Sequence, residues 1–436
     1  MKHVEVYPPQ ALVPYKRNAR THSKRQIAQI AKSISAFGFN NPVLIDDELN
    51  IIAGHGRVQA AILLCMKEVP CLKLSHLSDA DKRAYILADN QLATKAGWDR
   101  ELLALEFQGL IDLGFDVSLA GFEVAEVDFI IEAEDAKHED DIEKPLPPIG
   151  PPVTQRGDIW RLGAHRILCG DARDLKAYQS LMGAERADLV FTDPPYNVPI
   201  DGFVGGKGRI KHREFEVGSG EMSEGEFTSF LTDVLGLAAN HSVDGSIHFV
   251  CMDWRHIMEL MQAGRAVYSE LKNMIVWAKD NAGMGTFYRS QHELVFAFKH
   301  GTAPHINTFE LGQHGRSRSN IWKYAGVNTM KADRLEELAM HPTVKPLALV
   351  ADAIKDCSKQ NGLVLDPFSG SGTTLIAAEK TGRRARMIEI DPVYCDVAVR
   401  RWQIFTGKKA YLGDTDLTFE SIEDTFVGTS MGVAAP

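Results

Sequence analysis

Short apolar runs alternate with helix-forming stretches through the C-terminal part of the chain. The candidate strands lie within ADLVFTDPPY, GSIHFVCMD, KNMIVWAK, HELVFAFK, GLVLDPFSGSG and RRARMIEID. Several are continuous apolar runs, which suits a sheet that is covered on both faces by helices. The alternation predicts an α/β fold with a doubly wound, mostly parallel sheet, in which ligands bind at the carboxyl ends of the strands.

The N-terminal part has a different pattern. In RQIAQIAKSISAFGF, four apolar side chains recur at helical spacing, and Gly38 is placed to end the helix; the four are Ile27, Ile30, Ile34 and Phe37. The following PVLIDDELNIIAGHGRVQAA predicts a strand, an Asp-Asp turn, a second strand, a Gly-rich loop and a helix. These elements predict a small α+β domain.

An acidic and proline-rich stretch separates the two parts. It combines repelling carboxylates with KPLPPIGPP, a composition typical of an exposed linker. We therefore predict an N-terminal domain over 1–133, a linker over 134–153 and a C-terminal domain over 154–420. The acidic residues are Glu132, Glu134, Asp135, Glu139, Asp140, Asp141 and Glu143.

Composition narrows the functional classes. The 436 residues carry 48 Lys and Arg against 58 Asp and Glu, and a net charge of -10 argues against a protein that coats nucleic acid non-specifically. The six cysteines show no CxxC spacing and no zinc-site pattern, so we expect no bound metal. The polar N-terminus does not resemble a signal peptide, and no apolar run is long enough to span a bilayer. We expect a cytoplasmic protein without a membrane partner.

The first chemical motif is Asp193-Pro194-Pro195-Tyr196, directly after a predicted strand. Consecutive prolines lack N–H donors, so the Pro194 carbonyl is free to point into a pocket beside the Asp193 carboxylate. Tyr196 adds a flat aromatic face. Two acceptors and a stacking surface suit a planar group with an exocyclic NH2, such as an extruded nucleobase. A simple proline turn with a core tyrosine is the alternative for this motif alone.

The second motif is a Gly-rich loop, DPFSGSGTT, between a strand and a helix. Such glycines let a ligand approach the backbone at a helix N-terminus, but the lysine of a phosphate-binding P-loop is missing. The next strand ends at Glu389, where a carboxylate holds a ribose diol in doubly wound sheets. Loop and acid together indicate a nucleoside-containing cofactor without a bound phosphate chain.

Four motifs in order, DPPYN, HPTVKP, DPFSGSGTT and IEIDPVYC, resemble the β-class S-adenosylmethionine-dependent amino-DNA methyltransferases. The resemblance implies a Rossmann-like methyltransferase domain in which Asp193, Pro194, Pro195 and Tyr196 are catalytic. It implies that Glu389 binds the cofactor ribose, with Asp391 as a competing candidate, that Asp171 lies at the adenine, and that Thr343 and Lys345 lie near the methionine carboxylate. The implied cofactor-binding set is Asp171, Thr343, Lys345, Asp366, Phe368, Ser369, Gly370, Gly372, Thr373 and Glu389.

The resemblance also implies the reaction. Hydrogen bonds from the target NH2 to Asp193 and Pro194 would favour a more tetrahedral nitrogen, aligned for direct methyl transfer. Within the resemblance, Asp rather than Ser at the first position favours N6 of a flipped adenine. N4 of cytosine is the alternative, and a second is a ParB-like DNA-binding or nucleotide-switch protein with a degenerate methylase domain.

Double-stranded DNA is the expected partner, and a homodimer stays an open option. The glycine-rich segment after the catalytic motif and a basic segment at about 299–340 are the candidate DNA-contact and target-recognition regions. Residues 299–334 contain six Lys and Arg residues and only two Asp and Glu residues. The candidate DNA-binding residues are Lys207, Arg209, Lys211, Arg316, Arg318 and Lys323.

The N-terminal unit resembles the ParB/sulfiredoxin-like domain over about residues 1–100, through PYKRNARTHS and IAGHGRVQAA. In that family the matching loop binds nucleotide phosphate, which maps to Gly54, His55, Gly56 and Arg57. This chain has GHGR where the partition proteins have a GERR-type loop, and the sulfiredoxin cysteine is absent from it. We therefore favour a domain that only grips DNA or mediates association.

Overall fold

The computed structural model describes residues 3–431, except for 17, 19, 96–97, 114, 123, 136–151, 199–219, 280–287, 309–317 and 325–344. The chain divides into two compact units, Met1–Glu134 and Asp135–Pro436. The strands are β1 Val4–Tyr7, β2 Val43–Ile45, β3 Ile51–Ala53, β4 Val69–Lys73, β5 Ile159–Leu162, β6 His165–Cys169, β7 Ala187–Thr192, β8 Ser242–Met252, β9 Glu270–Ala278, β10 His292–Lys299, β11 Ile321–Lys323, β12 Leu363–Asp366, β13 Arg384–Glu389 and β14 Tyr411–Leu412. The α-helices are α1 Lys24–Phe37, α2 His55–Leu63, α3 Asp79–Lys95, α4 Arg100–Asp112, α5 Val124–Asp135, α6 Leu175–Met182, α7 Glu224–Asn240, α8 Ile257–Val267, α9 Leu347–Cys357, α10 Thr373–Lys380, α11 Pro392–Thr406 and α12 Phe419–Met431.

The N-terminal unit is a small α+β domain, as predicted. Its four-stranded sheet has the order β1-β4-β2-β3, and β2 pairs parallel with β4. Helix α1 begins after Ser23, whose side chain accepts the Gln26 N–H, and ends at Gly38 with φ 85°. The predicted apolar face is half-buried except for Phe37, which is 47% exposed at the end of the helix.

Helices α4 and α5 form a second apolar cluster within this unit. A 3-10 turn, Val117–Ala120, lies between them, and the Phe107 ring meets Phe122 edge to face at 4.9 Å. Phe107, Ile111 and Val127 are buried in the same cluster, separate from the core of the four-stranded sheet. Among the described residues, the unit therefore has this helical core in addition to two apolar clusters at the sheet.

The C-terminal unit contains a ten-stranded sheet of order β11-β9-β10-β8-β7-β12-β13-β6-β5-β14. The pairings set β5 and β10 against the direction of the other eight strands. Both faces of β7 are covered, because Phe191 packs in a cluster with Leu349 of α9 while Val190 packs with Tyr178 of α6. The predicted mostly parallel, doubly wound fold is confirmed.

Two reversals matter for the site. Strands β7, β12, β13 and β6 are adjacent and parallel, so their carboxyl ends meet at one edge of the sheet. Strand β10 runs antiparallel to β8, with Leu294 opposite Met252. The first residues of β10 therefore lie at the edge where the parallel strands end. None of the helices in the described residues is long and apolar enough to cross a membrane.

Candidate active site at the carboxyl edge of the sheet

The catalytic motif leaves the sheet at the end of β7. Thr192 is fully buried as the last strand residue, and the Asp193 side chain is 19% exposed. The Tyr196 hydroxyl donates to Asp193 Oδ1 at 2.5 Å, which fixes the carboxylate beside the phenol. Pro194 between them is buried and has no N–H to donate. An acidic acceptor and an aromatic ring thus lie side by side at a strand end.

The Lys345 ammonium lies against this carboxylate. Its Nζ is 2.5 Å from Asp193 Oδ2, 3.1 Å from the Tyr196 hydroxyl and 3.1 Å from Glu293 Oε2. Glu293 is at the start of β10, and its other oxygen Oε1 accepts from the ammonium of Lys279, which follows β9. The two carboxylates and two ammoniums form one ion-paired group.

Burial and pairing act in opposite directions on these charges. Burial raises the pKa of Asp193 above its ordinary value, although the Lys345 charge opposes the rise. Burial would also raise the pKa of Glu293, but Lys345 and Lys279 together lower it to about 2. The two carboxylates outweigh the burial of Lys345 and raise its pKa. Glu293, which has two cationic partners, is therefore ionised at neutral pH. The ionisation of Asp193 depends more strongly on its single cationic partner.

The Gly-rich loop joins β12 to α10 at the neighbouring position. Asp366 ends β12, and its carboxylate accepts from the Phe368 N–H at 3.0 Å and the Thr374 hydroxyl at 2.6 Å. Gly370 and Gly372 have φ values of 52° and 82°, in the left-handed region that favours glycine. The loop is consequently bent tightly onto the sheet edge.

Glu389 at the end of β13 braces this loop. Its Oε2 accepts the Gly370 N–H at 2.7 Å, and its Oε1 accepts the Asp391 N–H at 2.9 Å. Asp391 itself caps α11 by accepting the Val393 N–H. Burial raises the pKa of Glu389 to about 7, and burial likewise raises the pKa of Asp366 to about 7. The two acids beside the loop therefore titrate near pH 7.

The chemistry of these residues fits S-adenosylmethionine. Asp366 and Glu389 place two acidic side chains at the Gly-rich loop, and an ionised carboxylate stabilises a bound cation such as a sulfonium. Asp171, after β6, forms a paired contact with the Arg173 guanidinium, whose Nη2 is 2.7 Å from Oδ2. Burial opposes the effect, but the Arg173 hydrogen bonds lower the pKa of Asp171.

The remaining loop residues lie within the same edge. The Ser369 N–H donates to the Ile388 carbonyl at 3.0 Å, while Phe368 is half-buried with its ring 6.0 Å from Phe230. The Thr373 hydroxyl lies 3.2 Å from Arg401 Nη1. Each belongs to the loop or to the first turn of α10, so the structure brings the described members of the predicted cofactor set to one edge of the sheet.

The predicted DNA contacts divide into described and undescribed residues. Arg318 is ion-paired, with its Nε 3.0 Å from Asp356 Oδ2 and its Nη1 3.3 Å from Asp352 Oδ2. Its neighbour Trp322 is buried in the sheet core, whereas Lys323 is exposed. Lys207, Arg209, Lys211, Arg316 and the cofactor candidate Thr343 lie outside the described residues.

In the N-terminal unit, the GHGR loop lies where β3 passes into α2, as the sequence predicts. Gly54 has φ 103° and precedes the first helical turn, which begins at His55. The Arg57 guanidinium donates to the Pro42 carbonyl at 3.3 Å, and its Nε has no hydrogen-bond partner among the described residues. Gly56 is buried against α1, where an added Cβ would lie 3.0 Å from Ile30 Cδ1.

The sequence did not predict a role for three residues of the site, which are Glu293, Lys279 and Asn197. Glu293 and Lys279 lie 100 and 86 residues beyond Asp193 in the chain, and their contribution depends on the direction of β10. Asn197 was part of the quoted motif without a role. Its side chain donates to the Met222 carbonyl at 2.8 Å and accepts the Gly220 and Met222 N–H groups. In the described residues, no group of three or more His, Cys, Asp or Glu is placed to hold a metal ion.

Comparisons with known proteins match family models to both parts of the chain. A DNA methylase family model, for N6 and N4 methyltransferases, matches residues 187–400. A ParB N-terminal domain model matches residues 1–91, and a ParB-methyltransferase HTH domain model matches residues 101–156. The last match covers α4 and α5, for which the sequence analysis named no separate domain.

Individual relatives divide between the two ends of the chain. The ParB-like nuclease domain-containing protein YnaK of Escherichia coli is 57% identical over 79 residues, which are 18% of this chain and 91% of YnaK. The DNA adenine methyltransferase YhdJ of Escherichia coli is 27% identical over 279 residues, 55% of this chain and 83% of YhdJ. The solved M1.HpyAVI–SAM complex is 20% identical, covering 54% of this chain and 98% of that one, with a TM-score of 0.39. The chain is therefore an S-adenosylmethionine-dependent DNA methyltransferase that joins an N6/N4 DNA methylase domain to a ParB N-terminal domain.

Proposed function

We propose that this enzyme methylates N6 of an adenine flipped out of double-stranded DNA, with Asp193, Pro194, Pro195 and Tyr196 as its catalytic residues. One observation carries the proposal: the Asp193 carboxylate and the Tyr196 ring are fixed together at the end of β7, beside the loop that follows β12. Adjacent parallel strands place the two motifs at one edge of the sheet. Action on DNA is consistent with a cytoplasmic location.

The site residues act by positioning. The lone pair of an adenine amino nitrogen is delocalised into the ring, so the nitrogen is a weak nucleophile. Hydrogen bonds from its NH2 to the Asp193 carboxylate and the Pro194 carbonyl favour a tetrahedral nitrogen and orient its lone pair. The Tyr196 ring offers a stacking surface for the flipped base. When bound, S-adenosylmethionine supplies an electrophilic methyl group.

Described residues around the loop divide the task of holding the cofactor. Glu389 is the proposed ribose ligand, and its two backbone contacts leave further lone pairs on the carboxylate. Asp171 is the proposed contact to the adenine ring. Gly370 and Gly372 admit the methionine portion close to the backbone.

Adenine is favoured over cytosine for two reasons. The first residue of the motif is Asp193 rather than serine, which within the resemblance favours adenine N6. The relative YhdJ, with 83% of its length covered, is a DNA adenine methyltransferase. N4-methylcytosine is the product that would reassign the base.

Nucleoside analysis of DNA tests the proposal. DNA from cells that express the chain is digested, and modified nucleosides are quantified by mass spectrometry. We expect N6-methyladenine with the wild type and a fall of about 100-fold or more with Asp193→Ala, because an acceptor for the reacting amino group is lost. Asp416→Ala, which removes an exposed carboxylate in a turn, is the matched control and should leave the product level unchanged.

Cofactor binding completes that experiment. Asp193→Ala should bind S-adenosylmethionine nearly as tightly as the wild type, since the carboxylate is hydrogen-bonded to Tyr196 and Lys345, which lie outside the Gly-rich loop. Loss of cofactor binding would show that the two sites are misassigned. N4-methylcytosine in the wild type would contradict the adenine assignment. The absence of both modified nucleosides would contradict the methylation of DNA.

A further inference from the structure

Lys345 contacts the catalytic carboxylate and Glu293 contacts Lys345, but neither has a part in the proposed methyl transfer. Lys345 precedes α9, and Glu293 enters the site from β10. Their side chains are 5% and 17% exposed. A buried ammonium requires partners, because the desolvation of an isolated charge is very unfavourable.

Lys345 has as many partners as it has protons. Its three acceptors are Asp193 Oδ2, the Tyr196 hydroxyl and Glu293 Oε2, at 2.5, 3.1 and 3.1 Å. Asp193 is therefore already bound to a full positive charge. Its other oxygen accepts the Tyr196 hydroxyl, so each carboxylate oxygen has a donor before any substrate arrives.

An ammonium and an amino group compete for the same acceptor. A charge-assisted hydrogen bond is about twice as strong as a neutral one, so Asp193 prefers the ammonium. While it is paired, the carboxylate is also a weaker acceptor for a neutral N–H group, because the cation draws on the same negative charge. Asp193 can polarise a target amine fully only when the ammonium moves away.

Glu293 offers the place for it to move to. Lys345 already contacts Glu293, so a small shift exchanges one carboxylate for the other without exposing the charge to water. Lys279 holds Glu293 from the opposite side through its second oxygen. Glu293 is thus fixed in position and remains ionised.

We propose that Lys345 occupies the position of the target amino group in the free enzyme and transfers to Glu293 when the base enters. Both are positioning residues, since they act through Asp193. The inference rests on the proposed function, because it needs an amino group that binds Asp193. It assigns to Glu293 a part in admitting the substrate.

The pH dependence of kcat/KM for methyl transfer to DNA tests this inference, because that parameter reports the free enzyme. Asp193 must be ionised to act, so activity falls as pH drops through its pKa. Removing the Lys345 charge with Lys345→Met should raise the pKa of Asp193 and move the acid limb to higher pH. Removing the Glu293 charge with Glu293→Gln should move the limb to lower pH. We expect a shift of about one pH unit in each direction.

Other ionisable groups face Asp193 besides these two. Tyr196 and Cys251 are buried with pKa values well above their ordinary ones, so they stay neutral across the acid limb. Asp366, with a pKa of about 7, contributes to the limb in every variant. The opposite signs of the two shifts are therefore the informative result.

Rates on the alkaline plateau provide a second readout. Glu293→Gln should lower the plateau rate, because Lys345 then remains on Asp193. The double variant Lys345→Met with Glu293→Gln should have a plateau rate at least about tenfold above that of Glu293→Gln alone, since the ammonium no longer competes for the carboxylate. Lys345→Arg keeps the charge and should keep the wild-type limb.

Matched controls come from an ion pair on β9. Lys272 and Glu270 are 3.0 Å apart on the surface, and Lys272→Met and Glu270→Gln remove the same charges outside the site. Both should leave the limb in place. Thermal melting and the affinity for S-adenosylmethionine establish that each variant is folded.

Three results would overturn the inference. Limbs that stay in place in Lys345→Met and Glu293→Gln, while the wild type is active, would show that neither residue controls Asp193. Weakened cofactor binding in Lys345→Met without a shifted limb would assign Lys345 to the cofactor. A wild type that transfers no methyl group to DNA would contradict the proposed function and this inference together.

Discussion

Asp366 and Glu389 are carboxylic acids held near their titration points on either side of the Gly-rich loop. Each accepts two hydrogen bonds, which favour the ionised form, yet burial raises the pKa of both to about 7. Without a ligand, a substantial share of these groups is protonated at neutral pH. A cation at the same edge would favour their ionised forms.

Binding of S-adenosylmethionine should therefore be linked to release of protons. We expect its affinity to fall as pH drops below about 7, approaching about tenfold per pH unit for each linked proton. Isothermal titration calorimetry between about pH 5.5 and 8.5 measures the slope.

S-adenosylhomocysteine is the control, because its sulfur is neutral while its nucleoside is the same. The Glu389 contact to the ribose is common to both ligands, so the affinity of S-adenosylhomocysteine should fall less steeply with pH, by the share that the sulfonium contributes. Equal slopes for the two ligands would show that the sulfonium does not interact with these acids.

Residues that are contiguous in a motif could be predicted from the sequence, and residues contributed from a distance could not. Asp193 and Tyr196 are three positions apart, and in the structure they share a hydrogen bond. Glu293 comes from a strand 97 residues beyond Tyr196. Its sequence context, HELVFAFK, predicts a strand but contains nothing that specifies its neighbours.

At the scale of elements, the turn between β12 and α10 depends on a close approach to α11. An added Cβ at Gly372 would lie 2.8 Å from the Ala398 Cβ, and the Gly372 φ of 82° is also unfavourable for other residues. Arg401, on the same helix as Ala398, donates to the Ser371 carbonyl at 3.3 Å. Helix α11 thus shapes the loop by direct contact.

Gly372→Ala should lower the free energy of unfolding by about 2–4 kcal/mol, combining backbone strain with overpacking. Gly407→Ala is the matched control, because Gly407 has φ 68° but an added Cβ there meets no atom within 4 Å. It should lose only the strain component, about 1–2 kcal/mol. Urea denaturation of both variants measures the difference, and equal losses would show that the contact with Ala398 is unimportant.

The periodicity of apolar residues predicts where a strand lies in the sequence but not the direction in which it runs in the sheet. The apolar runs predicted β7, β8, β9, β10, β12 and β13, and each is present. An alternation of strands and helices favours parallel neighbours, but β9 and β10 are joined without a helix among the described residues, and they pair antiparallel. This reversal brings Glu293 to the active edge.

At the scale of the molecule, the chain at Val153 and Thr154 is anchored to a buried acid of the C-terminal unit. The Asp396 carboxylate of α11 is 2% exposed and accepts the Val153 N–H at 2.7 Å and the Thr154 N–H at 3.0 Å. The Thr154 hydroxyl lies 2.5 Å from the same carboxylate. Val153, the last residue of the predicted linker, and Thr154, which follows it, therefore supply hydrogen bonds to a buried acid of the catalytic unit.

A fragment of residues 152–431 should fold and bind S-adenosylmethionine, because it keeps this anchor. A fragment of residues 157–431 should be less stable by about 3 kcal/mol or more, since it leaves Asp396 buried with its main hydrogen bonds lost. Thermal unfolding of the two fragments measures the effect. Equal stability would contradict the anchoring role of Val153 and Thr154.

Composition indicated the change of domain near residue 134 but not the helical segment before it. The acidic run made the linker visible, and the structure divides the chain after Glu134. Helices α4 and α5 have ordinary amphipathic sequences without a chemical motif, so only the comparison with the ParB-methyltransferase HTH domain distinguishes them.

Asn197, the residue after the catalytic tyrosine, is hydrogen-bonded to residues on the far side of the stretch 199–219. With φ 53°, it holds Gly220 and Met222 by three hydrogen bonds, so the chain on either side of residues 199–219 is joined at its base. Closing a longer loop costs only about 0.6 kcal/mol per doubling of length. We therefore expect Asp193 to stay in place when the sequence or the length of the stretch between these two points is changed.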